Sequence, residues 1–405
     1  MSEFRPTDVV QVEEILRWAA SEKQSLEICG GGTKRAWGRP SVAAHLLNLN
    51  AVARVIDYDP AELVLTATAG TPMSDIELML EENRQMWAFE PPDWRSLWGS
   101  QGSSTIGGAI ACNVSGPRRI CAGAARDHFL GFTAINGRGE RWKSGGKVVK
   151  NVTGYDMCKL QSGAFGTLSV LLELSLRVVP KPDTECSVGI EGLADAEAIA
   201  LLSRALNSPH EVSAAAHLPE ASAARSGIDG LASRTSLTIV RVEGPLPSVR
   251  FRAGALQEML RATICLEQSA SRSFWKRIGQ VQPLLNPEHA PLWRICTTPS
   301  AAPAVLKSIQ ASRPTAEGFY DWAGGLLWLE IPSGDNGEDA HAPTVRRAVA
   351  SHGGHATLIR APDCMRTRIA VFQPEAAGIE ALKQRIKQGF DPHSLLNPGR
   401  LHEAT

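Results

Sequence analysis

The chain has 405 residues, of which 43% are hydrophobic and 21% charged, and 42 Lys and Arg are balanced by 42 Asp and Glu. This length favours two domains over one. The zero net charge argues against a nucleic-acid-binding protein, which usually carries a basic excess on at least one domain. The eight cysteines form no C-x-x-C pair and no cluster with histidines, so we expect no metal or iron–sulfur site in this chain.

The N-terminus has no apolar signal core, and no stretch reaches the roughly 18 apolar residues that a membrane-spanning helix needs. We therefore expect a cytoplasmic protein without a transmembrane segment.

The first part of the chain predicts short strands, helices and glycine-rich turns. Thr7 or Asp8 can cap a first helix, because apolar residues recur at helical spacing from Val9 onward. A second helix is predicted over Met73–Asn83, directly after Pro72. Strands are predicted at Leu26–Cys29, Ala44–Leu49, Ala53–Asp57, Leu63–Ala69, Phe129–Asn136, Glu140–Lys143 and Thr167–Val179.

Pro180 and Pro182 end the last of these strands, and we place a domain boundary there. Beyond it the composition predicts helices over a mostly antiparallel sheet, an α+β layer. Ala194–Arg234 is expected to be helical, with a loop near residues 226–230. Strands are predicted at Ser236–Glu243, Pro291–Thr297, Gly324–Ile331 and Thr367–Phe372, and helices at Ala302–Ala311 and Ala342–Ser351.

Two segments carry candidate chemistry. Gly30, Gly31 and Gly32 follow a strand and precede Thr33 and Lys34, so several backbone N–H groups can converge on an anion such as a diphosphate. This loop matches neither a Walker A loop nor a Rossmann fingerprint. Taken alone, it is as well explained by a flexible turn.

The second segment runs from residue 101 to 119 and is rich in glycine, serine and threonine. Gly107 and Gly108 lead into an apolar run, which suggests a helix whose first N–H groups point at a cofactor. A tightly packed helix of small residues explains the same pattern.

Five motifs in order resemble the FAD-binding domain of the vanillyl-alcohol-oxidase/p-cresol-methylhydroxylase superfamily. They are the glycine loop, G-G-x-x-A-x-N-x-x-G from Gly107, R-D-x-x-L-G from Arg126, K-N-x-x-G-Y-D-x-x-K-L from Lys150 and G-x-x-G-T-L-x-V from Gly163. The superfamily's C-terminal signature D-P-x-x-x-L-N-P-G-[KR] begins at Asp391.

The resemblance implies a two-lobed FAD-binding domain of this type over residues 1–182, an α+β substrate domain over 183–385, and a C-terminal segment, 386–405, that returns to the first domain. It implies that FAD is bound noncovalently. The cofactor-binding residues it implies are Gly30, Gly31, Gly32, Thr33, Lys34, Ser103, Ser104, Thr105, Gly107, Gly108, Asn113, Ser115, Gly166, Val170 and Asn397.

Within the superfamily, residues 115–119, 150–156 and 291–294 are most similar to FAD-binding subunits of bacterial glycolate oxidase. This similarity implies a small 2-hydroxy acid as substrate. It also implies a complex with a larger FAD-containing catalytic subunit and an iron–sulfur subunit, through which the chain could lie at the inner membrane. Arg294 and Arg119 are candidates for binding the substrate carboxylate, or are structural arginines.

The chain departs from catalytic relatives in one respect. It lacks their G-H-x-G-D-G-N motif, and its nearest approach, residues 351–355, has neither the acid nor the amide. A noncatalytic FAD-binding subunit that supports a paralogous flavoprotein is therefore the alternative. A reductase using NADPH is less favoured, because no nicotinamide fingerprint is present.

Overall fold

The computed structural model describes residues 2–147, 154–228, 231, 234–285, 290–332 and 339–402. Its first elements are β1 (Ser2–Phe4), α1 (Val9–Ser21), β2 (Leu26–Cys29), β3 (His45–Asn48), β4 (Val55–Asp59), β5 (Val64–Thr68), α2 (Met73–Glu82), β6 (Gln85–Met86), α3 (Arg95–Trp98), α4 (Ile106–Ala111), α5 (Arg119–Ala122), β7 (Phe129–Asn136), β8 (Arg141–Gly145), α6 (Met157–Gln161), β9 (Ser169–Arg177) and β10 (Val179–Pro180). We call β1 to β10, with their helices, the N-terminal region.

The chain continues with β11 (Thr184–Glu191), α7 (Asp195–Leu206), β12 (Ala214–Leu218), α8 (Glu220–Ala223), β13 (Leu237–Gly244), α9 (Leu246–Leu260), β14 (Ile264–Glu267), α10 (Gln268–Gly279), β15 (Leu292–Cys296), α11 (Ala302–Ser312), β16 (Glu317–Asp321), β17 (Leu326–Glu330), α12 (Ala342–His352), β18 (His355–Arg360), α13 (Asp363–Arg368) and α14 (Ala377–Phe390).

The N-terminal region contains two main sheets. A parallel sheet has the strand order β1-β3-β2, and an antiparallel sheet has the order β4-β5-β9-β7-β8. Helix α1 begins where the Asp8 carboxylate accepts a hydrogen bond from the Gln11 N–H at 2.9 Å, which confirms the predicted cap. The helix buries Val12, Leu16 and Ala19 in a core shared with the parallel sheet.

The eight strands β14-β11-β13-β12-β16-β17-β15-β18 form one antiparallel sheet. One of its faces buries Val188, Val240 and Trp293 together with residues of α7, α9, α11 and α12. The other face buries Phe319 and Trp328 against the N-terminal region. The predicted α+β class, with helices on a mostly antiparallel sheet, is confirmed.

Two local predictions in this part were wrong. Ala214–Leu218 was expected to be helical, because alanine favours helices, but it forms β12, a central strand whose five residues are all buried. Thr367–Phe372 was expected to be a strand, but α13 ends at Arg368 and no strand follows it among the described residues up to 402. In both places tertiary packing overrides local propensity.

The antiparallel N-terminal sheet ends at Arg177 and β11 begins at Thr184, while the division of the chain at 182 stays a prediction.

The end of the chain contacts its beginning. Leu26 in β2 donates its N–H to the Leu395 carbonyl at 2.7 Å, and its own carbonyl accepts the Asn397 N–H at 2.9 Å. The buried Asp391 carboxylate accepts the N–H groups of Leu395 and Leu396 at 2.9 and 2.8 Å. These bonds add a parallel bridge between Leu26 and Leu396 to the sheet. They also hold the turn that positions Asn397 beside β2.

Two ion pairs join the eight-stranded sheet to the N-terminal region. Arg241 in β13 is fully buried and donates two hydrogen bonds, each 2.9 Å long, to the Glu90 carboxylate. Arg118 pairs with Glu243 at 2.6 Å. Because a bidentate arginine–carboxylate pair has a fixed geometry, these contacts set the orientation of the two parts at one end of the sheet.

We expect Glu90→Gln to lower the free energy of unfolding by about 3 kcal/mol, because it leaves the buried Arg241 with only the more distant Glu243 carboxylate. Denaturant unfolding measures this loss. The matched control is Asp93→Asn, which removes an ion pair with Arg95 whose side chains are 36% and 46% exposed. It should cost less than about 1 kcal/mol. Equal losses of unfolding free energy in the two variants would contradict a stabilising role for the buried Arg241–Glu90 pair.

Candidate functional site

Two loops of the N-terminal region meet backbone to backbone. A Cβ atom on Gly31 would lie 1.8 Å from the Ser103 carbonyl oxygen, and one on Gly102 would lie 1.7 Å from the Gly31 carbonyl oxygen. Any side chain at either position would force the loops apart. Thr105 then caps α4, since its hydroxyl accepts the Gly108 N–H at 3.3 Å. The contact therefore brings the end of β2 against the start of α4.

The loop of residues 30–34 carries groups that can bind an anion. Its five backbone N–H groups donate no hydrogen bond within the described residues. The Lys34 ammonium donates to the Ser104 hydroxyl at 2.7 Å and to the Thr33 hydroxyl at 3.3 Å. No carboxylate of the described residues lies within ion-pair distance of it, and burial lowers the pKa of Lys34. A buried cation beside free N–H groups favours a phosphate ligand.

These loops line a cavity of about 110 Å³. Of the predicted cofactor residues, those that line it are Gly30, Gly31, Gly32, Thr33, Lys34, Thr105, Gly107, Gly108, Gly166, Val170 and Asn397. Ser103 and Ser104 line a neighbouring cleft of about 620 Å³, which Lys34 also lines.

Asn113 and Ser115 lie outside both cavities as the described residues define them. The Asn113 amide oxygen accepts the Arg126 N–H, and the Ser115 hydroxyl accepts the Ala125 N–H, each at 3.1 Å. The structure thus gives these two side chains a role in holding the segment after α5. The first residues of the K-N-x-x-G-Y-D motif, 150–153, lie outside the described residues.

Asn397 closes the cavity from the other end of the chain. Its side-chain oxygen accepts the Ile28 N–H at 2.8 Å, and its side-chain nitrogen donates to the Phe165 carbonyl at 2.7 Å. A Cβ on Gly166 would lie 2.9 Å from that nitrogen. Asn397 therefore fixes β2 and the turn at Phe165 on the two sides of the cavity.

Trp37, which sequence reasoning missed, also lines the cavity. Its side chain is 6% exposed, and its indole N–H has no acceptor among the described residues. The ring packs edge-on against Phe165 and Trp94, with centroid distances of 5.0 and 5.3 Å. Trp37 therefore gives the cavity an aromatic wall that the motifs did not indicate.

The two candidate substrate arginines converge on one residue. The guanidinium carbons of Arg119 and Arg294 lie 4.7 and 5.0 Å from the centroid of the Trp322 ring. Trp322 is held in turn by its indole N–H, which donates to the Gly116 carbonyl at 3.1 Å. Neither arginine pairs with a carboxylate of the described residues. Burial and the charge of Arg294 lower the pKa of Arg119.

Two further groups surround this cluster. Burial raises the pKa of the Asp321 carboxyl to about 7. Burial alone would also raise the pKa of the Cys296 thiol, but Arg294 and His355 act against it and the pKa falls to about 7. His355 pairs with Cys296 across β15 and β18, so the nearest approach to the histidine-rich motif lies beside the arginines. Among the described residues, no group of three His, Cys, Asp or Glu could hold a metal ion.

Comparison with known proteins defines the class. Residues 3–145 match the family model described as FAD binding domain. Among solved structures, p-cresol methylhydroxylase with substrate bound superposes with a TM-score of 0.71 at 13% identity, covering 99% of this chain and 88% of that one. The chain therefore has an FAD-binding domain and the expected fold.

Over 96% of both chains, this sequence is 33% identical to glycolate oxidase subunit GlcE of Escherichia coli (strain K12). It is 26% identical to D-2-hydroxyglutarate dehydrogenase of Xanthomonas citri pv. viticola, over 98% of this chain and 88% of that protein. The chain belongs to the family of glycolate oxidase subunit GlcE. None of the helices in the described ranges is long and apolar enough to cross a membrane.

The residues that line the cavity suit FAD. The free N–H groups of residues 30–34 and Lys34 would hold the diphosphate, and Trp37 and Phe165 would offer an aromatic wall. Cys112 also lines the cavity, and burial raises its pKa to about 11. A thiol that stays protonated is a poor nucleophile, which fits noncovalent binding.

We expect Gly31→Ala to weaken FAD binding by about 100-fold, because separating the two loops displaces the N–H groups by an ångström or more. Fluorescence titration of the FAD-free chain measures the affinity. Gly254→Ala in α9 is the matched control, since no heavy atom lies within 4 Å of its added Cβ. FAD affinity that survives Gly31→Ala unchanged would mean that the loop contact does not shape the site.

Proposed function

We propose that this chain is the FAD-binding subunit of a complex that oxidises glycolate, or D-lactate, to the 2-oxo acid. The observation that carries the proposal is the pair Arg119 and Arg294 on Trp322. Two guanidinium groups that no described carboxylate neutralises form a site for the carboxylate of a 2-hydroxy acid. When bound, FAD supplies the two-electron acceptor.

The arginines come from two different parts of the structure, and neither lines the two cavities described above. Arg119 lies in α5 of the N-terminal region, and Arg294 lies on β15, on the sheet face that packs against that region. A substrate bound between them would be excluded from bulk water by Trp322, whose side chain is 9% exposed. Stacking on the ring also limits the motion of both guanidinium groups, so less entropy is lost when a carboxylate binds.

We propose that electrons leave to an iron–sulfur partner. Within the described residues the cysteines lie singly, apart from Cys186 and Cys265, whose sulfurs are 3.5 Å apart. An iron–sulfur cluster usually requires four cysteines. The relationship to a protein named as an oxidase subunit supports a complex with a larger FAD-containing catalytic subunit and an iron–sulfur subunit. The proposed location is the cytoplasm, with any contact to the inner membrane made by these partners.

A second candidate is a noncatalytic FAD-binding subunit that supports a paralogous catalytic flavoprotein. The absence of the G-H-x-G-D-G-N motif favours it. The Gly31→Ala chain separates the two functions when it is assembled with its partners. Full glycolate oxidation by a complex in which this subunit holds no FAD would support the second candidate and overturn the first.

Anaerobic addition of glycolate or D-lactate to the FAD-loaded full chain, alone or in its complex, should bleach the visible absorption of the flavin. We expect Arg294→Gln to reduce kcat/KM for the reduction about 10- to 100-fold, because it removes a charge-assisted hydrogen bond worth about 1.5–3 kcal/mol.

The control for lost positive charge is Arg347→Gln, an exposed position on α12 that should leave the kinetics unchanged. Flavin that is bound in the chain but is never reduced by any 2-hydroxy acid would contradict the proposed function.

A further inference from the structure

Asp321 is a buried carboxyl without a cationic partner. It is the last residue of β16 and is 2% exposed. One oxygen accepts the Trp322 N–H at 2.7 Å, and no arginine or lysine of the described residues lies within ion-pair distance. Elsewhere on the same sheet, the buried charges of Arg241 and Arg360 are matched by Glu90 and Glu330. An unmatched buried carboxylate is unfavourable, so Asp321 is a group whose surroundings favour proton uptake.

The sheet register places Asp321 in the arginine cluster. It lies opposite Leu326, which lies opposite Cys296 on β15. Residues directly opposite each other in antiparallel strands share a face, and Arg294, two residues before Cys296, shares it too. Asp321 therefore lies on the face that carries Arg294 and that packs against the N-terminal region.

The backbone after Asp321 is unusual. Trp322, Ala323 and Gly324 follow one another with φ values of 51, 55 and 97°, all in the left-handed region. For tryptophan and alanine this conformation is uncommon and unfavourable. Here it turns the chain so that the Trp322 ring reaches both arginines directly beside the Asp321 carboxyl.

We propose that Asp321 is the catalytic base that accepts the hydroxyl proton of the substrate whose carboxylate Arg119 and Arg294 hold. This inference rests on the proposed function. In the step, oxidised FAD, when bound, would take the C2 hydrogen as hydride, the hydroxyl proton moves to the Asp321 carboxylate, and the C2–O bond becomes a carbonyl. The other proton-accepting groups at the cluster are Cys296 and His355, of which His355 is exposed.

The electrostatic surroundings suit a base near neutral pH. Burial is the largest influence on the Asp321 carboxyl and raises its pKa, Glu90 raises it further, and Arg241, Arg294 and the Trp322 N–H lower it, with a balance at about 7. General bases are most effective when their pKa lies near the working pH. The proton released by the substrate can therefore be taken up and returned to solvent in each turnover.

The test is Asp321→Asn in the FAD-loaded full chain or its complex, compared with wild type for anaerobic flavin reduction by glycolate between pH 5 and 9. We expect the wild-type rate to rise through an apparent pKa near 7. The variant should be at least about 100-fold slower and should lose this rise, with unchanged FAD content. Binding of oxalate, which has no C–H bond to oxidise, should be retained. Asp321→Glu, which keeps a carboxyl, should recover a pH-dependent rise.

An activity-independent readout follows from the same carboxyl. Because its pKa is raised on folding, the unfolded chain ionises first, and wild type should lose stability relative to Asp321→Asn as pH rises from about 4 to about 7. Thermal unfolding across this range measures the difference.

Asp195→Asn is the matched control, since Asp195 accepts the Tyr320 hydroxyl at 2.6 Å and Tyr320 packs in the core on the opposite sheet face. The Asp195→Asn variant should change neither the pH dependence of flavin reduction nor that of stability between about pH 4 and 7. An Asp321→Asn chain that reduces its flavin within threefold of wild type would overturn the proposal, as would one that loses FAD. Failure of wild type itself to be reduced would instead overturn the proposed function and this inference with it.

Discussion

The close approach of two backbone loops sets the geometry on which the cofactor cavity depends. With no Cβ at Gly31 or Gly102, the loop after β2 lies against the loop before α4. The contact joins the parallel sheet to the helix that packs on the antiparallel one. The N–H groups of residues 30–34, which line the cavity, donate no hydrogen bond within the described residues and so are free for a ligand.

The cavity is completed by residues from the far end of the chain. Asn397 bonds to both of its walls, and the buried Arg400 donates to Glu27 at 2.9 Å and to the carbonyls of Arg35 and Trp37. Arg400 thus holds the segment that carries Lys34 and Trp37. Ile28 and Asn397 are 369 residues apart in sequence, so this part of the site forms only when the C-terminal segment lies against β2, and ligand binding would stabilise that contact.

The sequence predicted those parts of the site that depend on local backbone chemistry. Glycine loops and helix N-termini can be recognised from the sequence alone. The residues of the 30–34 loop line the cavity as expected. Trp37 and Asp321 have no such pattern, because a buried donor or acid becomes notable only when its missing partner is known. β12 was missed because alanine has low strand propensity. Its residues are all buried in the sheet, and this burial is visible only in the folded structure.

The sheet face toward the N-terminal region carries two neighbouring groups of arginines. Arg241 and Arg118 meet Glu90 and Glu243, and these pairs neutralise the buried charge and join the two parts of the protein. Arg119, the residue after Arg118, and Arg294 contact Trp322 without an ion pair to a carboxylate of the described residues. In the proposed function, the substrate carboxylate neutralises the second group as Glu90 neutralises Arg241.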